Sequence, residues 1–177
     1  MKVNKAIPVS FALLSMLTLL VPMVLAPSPR SSPIVKQVTG GGWILTKATC
    51  QGKEVSKKTF GFNAEQLEDG TLRGNVEYVD HGAWDGYDKG YPHVHGYEIT
   101  GLTIIGNEAW INGTCRLNGD PGPYAFEVHV IDEDEPGKHD WFEISIDPPI
   151  NYFAAAELGF PDDAGGGGNI QIHRPAP

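Results

Sequence analysis

Apolar and polar residues alternate in short runs from Gly40 to His173, and Gly, Pro, Asn and Asp separate the runs. Successive side chains of a strand point to opposite faces, so this period of two is typical of strands with one buried face. No segment after residue 26 sustains a helical period. The pattern predicts an all-β domain of eight strands, at Gly42–Cys50, Lys58–Ala64, Leu72–Asp80, Val94–Leu102, Glu108–Asn118, Tyr124–Asp132, Trp141–Ile146 and Gly168–His173.

Turn sequences and apolar faces support these strands. Glycines 70, 106 and 119 each stand beside Asn or Asp between apolar runs, which is typical of hairpin corners. Two successive strands carry apolar side chains on alternate positions and are predicted to pack together as core. Those side chains are Tyr124, Phe126, Val128 and Val130 on one strand, and Phe142, Ile144 and Ile146 on the next.

Glycine clusters mark both ends of the predicted domain, before Trp43 and before Asn169. Without side chains, such segments allow two backbones to approach closely or a strand to bend. We therefore expect the two terminal strands to lie close together. A terminal strand with such a lead-in could also be exchanged with a second copy of the chain.

The first 26 residues have the layout of a secretory signal. Lys2 and Lys5 precede an uncharged, Leu-rich and Val-rich run that ends at Ala26. Pro27 directly follows the cleavage motif and the run is long enough to span a bilayer, so an uncleaved anchor is the alternative. The predicted organisation is a leader or anchor at 1–26, a Pro/Ser-rich linker at 27–37 and a β domain at 38–177. Either form places the domain in the secreted or cell-surface compartment.

The two cysteines, Cys50 and Cys115, both follow the leader. Export favours oxidation, so we predict a disulfide between them, which would stabilise the fold by roughly 4 kcal/mol for a loop of about 65 residues. The alternative is a pair of free buried thiols.

The net charge of −9 bears on partners. No basic stripe is present to displace counterions from phosphates, which argues against a nucleic-acid partner. The expected partners are cell-surface or matrix proteins or glycans, with self-association as a further option, and a membrane would be contacted only through an uncleaved leader.

An acidic loop follows the predicted strand that ends at Asp132. Asp132, Asp134 and Asp140 are candidate calcium ligands, because calcium prefers many oxygen ligands. The spacing is not that of an EF-hand, and a solvated acidic turn is the alternative.

A second loop combines aromatic rings with carboxylates and could recognise a carbohydrate or a peptide by stacking and hydrogen bonding. The alternative is a plain loop whose rings cover the end of the core. The candidate ligand-binding residues are Trp84, Asp85, Tyr87, Asp88 and Tyr91.

His93 and His95 lie on the same side of a predicted strand and could hold zinc or copper, with His81 as a third ligand. A metal-dependent enzyme is the functional form of this hypothesis, and ordinary surface histidines are the alternative. No nucleophile motif, phosphate loop or metalloprotease helix supports catalysis, so no catalytic residue is predicted. Asn112 begins a glycosylation sequon.

Several segments together resemble the post-COAP domain family. They are 39–44 (TGGGWI), 58–64 (KTFGFNA), 111–114 (INGT), 117–119 (LNG), 124–126 (YAF), 140–144 (DWFEI) and 166–173 (GGGNIQIH). The resemblance implies an immunoglobulin-like antiparallel β-sandwich on exported proteins, and it implies no enzymatic activity. The expected function is a non-catalytic structural or adhesive module of the cell surface, matrix, filament or envelope.

Overall fold

The structure, a computed structural model, describes residues 32–46, 55–82, 93–133, 135–159 and 166–173. These ranges belong to one compact unit, Ser32–Pro177. The predicted leader, Cys50, the aromatic loop at 84–91 and Asp134 lie outside the described residues. Within the described ranges, no helix is long and apolar enough to cross a membrane.

All the described secondary structure is β. Every neighbouring pair of strands is antiparallel, and the order across the sheet is β8-β7-β6-β5-β4-β3-β2-β1-β9. The strands are β1 (Ile34–Thr46), β2 (Ser56–Leu67), β3 (Leu72–Asp80), β4 (His93–Ile105), β5 (Glu108–Leu117), β6 (Asp120–Ile131), β7 (Trp141–Ile146), β8 (Tyr152–Glu157) and β9 (Gly167–His173).

The all-β prediction is confirmed, whereas the immunoglobulin-like sandwich and the count of eight strands are not. The nine described strands belong to a single hydrogen-bonded sheet. Alternating hydrophobicity identifies a buried face on each strand, but it does not specify whether the opposing face belongs to a second sheet or to the same sheet after it curls.

One strand was not predicted, and the bounds of most others differ from the predicted ones. β8 was not predicted, because its sequence YFAAAE is rich in alanine and follows two prolines. β1 begins at Ile34, inside the predicted linker 27–37, since its first residues pair with the end of β2. β3 and β7, by contrast, have the predicted bounds.

The sheet curls around one core. Phe60 of β2 stacks on Phe142 of β7 with ring centroids 3.9 Å apart, although these strands are far apart in the sheet order. Bulges in β4 and β6 contribute to the curl, because extra residues in one strand bend it. Aromatic side chains therefore fill the interior.

The predicted core pair is confirmed in β6 and β7. Phe126, Val128 and Val130 oppose Ile146, Ile144 and Phe142 in register, and all six are buried. Tyr124 is only half-buried.

The two glycine clusters meet, as predicted, where β1 pairs with β9. Gly42 lies opposite Gly168, and a Cβ atom added to Gly42 would lie 2.2 Å from the carbonyl oxygen of Gly167. Gly168 also has φ of 139°, which side chains rarely allow. Only glycine therefore permits this close contact between the terminal strands.

Candidate metal centre

β3 and β4 carry three potential metal ligands on the outer face of the sheet. Val94 and Tyr78 point into the core and are fully buried, so their neighbours in each strand point outward. His93 and His95 share the outer face of β4, and Glu77 of β3 lies directly opposite His95 in register. Strand alternation and pairing thus bring two imidazoles and one carboxylate together.

The three side chains converge on a single oxygen. His95 Nδ1 lies 2.8 Å from Glu77 Oε2, and His93 Nε2 lies 3.2 Å from the same atom. The two imidazole rings have centroids 3.9 Å apart. All the ligand atoms lie within 4.8 Å of one another.

Solvent reaches this group, because the side chains of His93, His95 and Glu77 are 35%, 31% and 47% exposed. A small rotation of each side chain would allow an ion to replace the hydrogen bonds. Imidazole nitrogen with carboxylate oxygen is a donor set that suits zinc and copper, and three protein ligands leave coordination positions open. We call Glu77, His93 and His95 the β3–β4 cluster.

The third member of the cluster differs from the predicted one. His81 does not join the cluster; its Nε2 lies 3.0 Å from Thr59 Oγ1 of β2. Glu77 takes that place, and sequence reasoning missed it. Alternation of apolar and polar residues in β3 indicates that Glu77 points outward. It does not indicate which residue of β4 lies opposite Glu77, because a long connection joins the two strands.

Two of the predicted calcium ligands, Asp132 and Asp140, accept hydrogen bonds from backbone N–H groups. Asp140 is fully buried and accepts the backbone N–H groups of Glu133 and Ile170 at 3.0 and 2.8 Å. Asp132 Oδ2 accepts the N–H group of Ile172 at 2.8 Å. These carboxylates satisfy amides on the edge of β9 that does not face β1. Asp134 lies outside the described residues, and calcium binding at this loop stays a prediction.

A buried polar network lies within the curl, near the end of β3. Lys58 Nζ is fully buried and donates to Ser56 Oγ at 2.7 Å and to Asp80 Oδ1 at 3.3 Å. Tyr152 donates its hydroxyl to Asp80 Oδ2 at 2.8 Å and contacts the Tyr78 hydroxyl. Asp80, a neighbour of the predicted recognition loop, is thus engaged inside the protein.

This network is interpreted as structural. Its charges are opposite and multiply hydrogen-bonded, which is the condition for burying them. Burial, with the neighbouring Tyr78 and Asp80, raises the pKa of the Tyr152 hydroxyl far above its usual value, so Tyr152 remains a proton donor to Asp80.

The other predicted residues are placed as follows. Cys115 is buried on the inner face of β5, and burial raises the pKa of its thiol to about 12. Its predicted partner Cys50 lies outside the described residues, so the disulfide stays a prediction. Asn112 lies on the outer face of β5 and donates to Glu127 Oε2 at 2.7 Å.

The proposed recognition loop also lies outside the described residues, and none of Trp84, Asp85, Tyr87, Asp88 and Tyr91 is placed.

No family model, curated protein or solved structure matches the chain. The resemblance to the post-COAP family therefore stays a prediction from the quoted segments.

Proposed function

We propose that this chain is an exported, non-catalytic surface module that binds one divalent transition-metal ion, zinc or copper, at the β3–β4 cluster. One observation carries the proposal: Glu77 Oε2 lies within 3.2 Å of a nitrogen of both His93 and His95. Two other histidines in the described residues each lie beside a carboxylate, and neither belongs to a cluster of three potential metal ligands within those residues. His129 lies beside Glu108, and His139 lies beside Glu157.

Donor chemistry favours zinc and copper over calcium. Calcium takes six to eight oxygen ligands, whereas the β3–β4 cluster offers two nitrogens and one carboxylate. Both histidines are held on a paired strand, so the rings are oriented before an ion arrives. Orientation in advance lowers the entropy lost on binding.

Export and a surface role complete the proposal. The leader-like 1–26 segment and the acidic charge support an extracytoplasmic domain, and the core filled by aromatic rings leaves the outer face for contacts with surface proteins or glycans. N-terminal sequencing of the native protein tests export directly. A mature terminus near residue 27 supports it, and an intact Met1 in a cytoplasmic fraction contradicts it.

Titration calorimetry of the metal-free protein with Zn²⁺ and with Cu²⁺ tests the metal site. We expect one ion per chain, and we expect Glu77→Gln and His95→Ala each to weaken binding by at least about tenfold.

His139→Ala provides the matched control, since it removes an imidazole 2.8 Å from the Glu157 carboxylate and outside the β3–β4 cluster. Binding should be unchanged in that variant. An affinity that is equally strong in Glu77→Gln, His95→Ala and the native protein would overturn the proposal.

A further inference from the structure

We infer that the metal in the β3–β4 cluster shares a carboxylate-bearing ligand with Arg116. This inference rests on the proposed metal site and assigns the chemistry of what the site binds. The ligand would place one oxygen on the metal and one on the guanidinium group.

A metal ion in the β3–β4 cluster would have an open coordination position and a net positive charge. Three protein ligands leave at least one position open on a four-coordinate ion, and exogenous groups fill such positions. A divalent ion bound by one carboxylate and two neutral imidazoles keeps one net positive charge. The open position therefore favours an anion over a neutral ligand.

Arg116 provides a positive charge on the strand next to the cluster. It lies directly opposite His95 in the β4–β5 register, and its burial pattern places it on the same outer face. Directly opposed side chains in antiparallel strands have Cβ atoms about 5 Å apart. Arg116 is exposed, and it forms no ion pair with another described residue. A cation thus lies on the same face of the sheet, on the strand next to the cluster.

The surface beside His95 and Arg116 is concave. His95 and Arg116 line a common open groove of about 330 Å³ with the β5–β6 turn, residues 117–121. The guanidinium group presents paired N–H donors in the plane that a carboxylate matches. Asp120 also lines the groove, but its Oδ1 already accepts the N–H of Gly122 at 3.0 Å. The groove therefore has room for a small ligand beside Arg116 and His95, one member of the cluster.

Copper supplies the spectroscopic signal for a test. Protein loaded with one Cu²⁺ is titrated with acetate, and copper electron paramagnetic resonance and visible absorption are recorded. We expect a saturable spectral change, and we expect Arg116→Gln to weaken acetate binding by at least about tenfold while copper affinity stays unchanged.

Arg73→Gln is the control, because it removes the same charge from β3, where the guanidinium pairs with Glu65. It should leave acetate binding unchanged. Stoichiometric copper binding without an acetate response, or an equal response in native protein and Arg116→Gln, would overturn this inference alone. Absence of binding of both zinc and copper would overturn the metal site itself and, with it, this inference.

The same titration identifies the source of the carboxylate. Galacturonate and N-acetylglutamate are compared at equal concentrations, with galactose as the uncharged counterpart of the sugar. Stronger binding of galacturonate supports an acidic-glycan source, and stronger binding of N-acetylglutamate supports a peptide source. A response to galactose equal to that of galacturonate would contradict recognition of the carboxylate.

Discussion

Replacing Asp140 with asparagine tests whether the acidic loop holds the last strand. The carboxylate accepts two backbone N–H groups, from Glu133 and Ile170, and it is fully buried. Hydrogen bonds to a charged group contribute about 1.5–3 kcal/mol each, and a buried donor without a partner costs about 1–3 kcal/mol. Asparagine keeps one acceptor oxygen but turns an NH₂ group toward the other N–H.

The expected loss for Asp140→Asn is therefore about 2–4 kcal/mol in the free energy of unfolding, and the midpoint of thermal unfolding should fall by roughly 5–15 °C. Urea denaturation monitored by tryptophan fluorescence measures the first quantity, and calorimetry measures the second. Asp147→Asn, the same chemical change at an exposed position, should alter stability by less than about 0.5 kcal/mol.

Hydrogen exchange separates local release of β9 from general weakening. Ile172 keeps its bond to Asp132 in Asp140→Asn, so exchange should accelerate most at the amide of Ile170. The reasoning would be refuted by a loss below 0.5 kcal/mol, or by uniform acceleration across all strands.

Two further predictions concern buried groups. Tyr152→Phe should lower the free energy of unfolding by about 1–3 kcal/mol, because one oxygen of buried Asp80 loses its hydrogen-bond donor. Tyr97→Phe, the same change at an exposed position, should leave stability unchanged. Equal urea midpoints for the two variants would contradict this prediction. In a Cys50→Ser variant, Cys115 should react with a thiol reagent only after denaturation. Stability of that variant should also fall above pH 9.0, since the unfolded thiol ionises there while the folded thiol keeps its proton up to about 12. A variant lacking both thiols should lose this component, and an unchanged pH profile would count against it.

Hydrophobic alternation was sufficient for most strands and insufficient for their arrangement. β7 could be predicted to the residue because WFEISI alternates cleanly between buried and half-buried positions. β8 could not, since small alanines carry little hydrophobic contrast and Tyr152 alone marks its inner face. The curl escaped prediction because it depends on contacts such as Phe60 on Phe142, between residues distant in the sequence.

Two residues of the β3–β4 cluster could be identified from the sequence as potential metal ligands, and the third could not. The spacing of His93 and His95 indicates a shared face for any strand. Glu77 joins them only through the β3–β4 register, which turn chemistry could not specify across the intervening connection. Asp132 and Asp140 show the reverse difficulty: their carboxylates are conspicuous in the sequence, but the amides they accept come from a strand far along the chain.

The pairing of β1 with β9 has a consequence for the order in which the protein can be made. The first and last strands of the described unit are neighbours, so the sheet is complete only once β9 is available to pair with β1. In a chain that crosses a membrane from its N-terminus, one side of β1 would stay unpaired until β9 has also crossed. Contacts between such distant segments also slow folding. Arrival of β9, rather than formation of the early hairpins, would then govern when the native sheet forms.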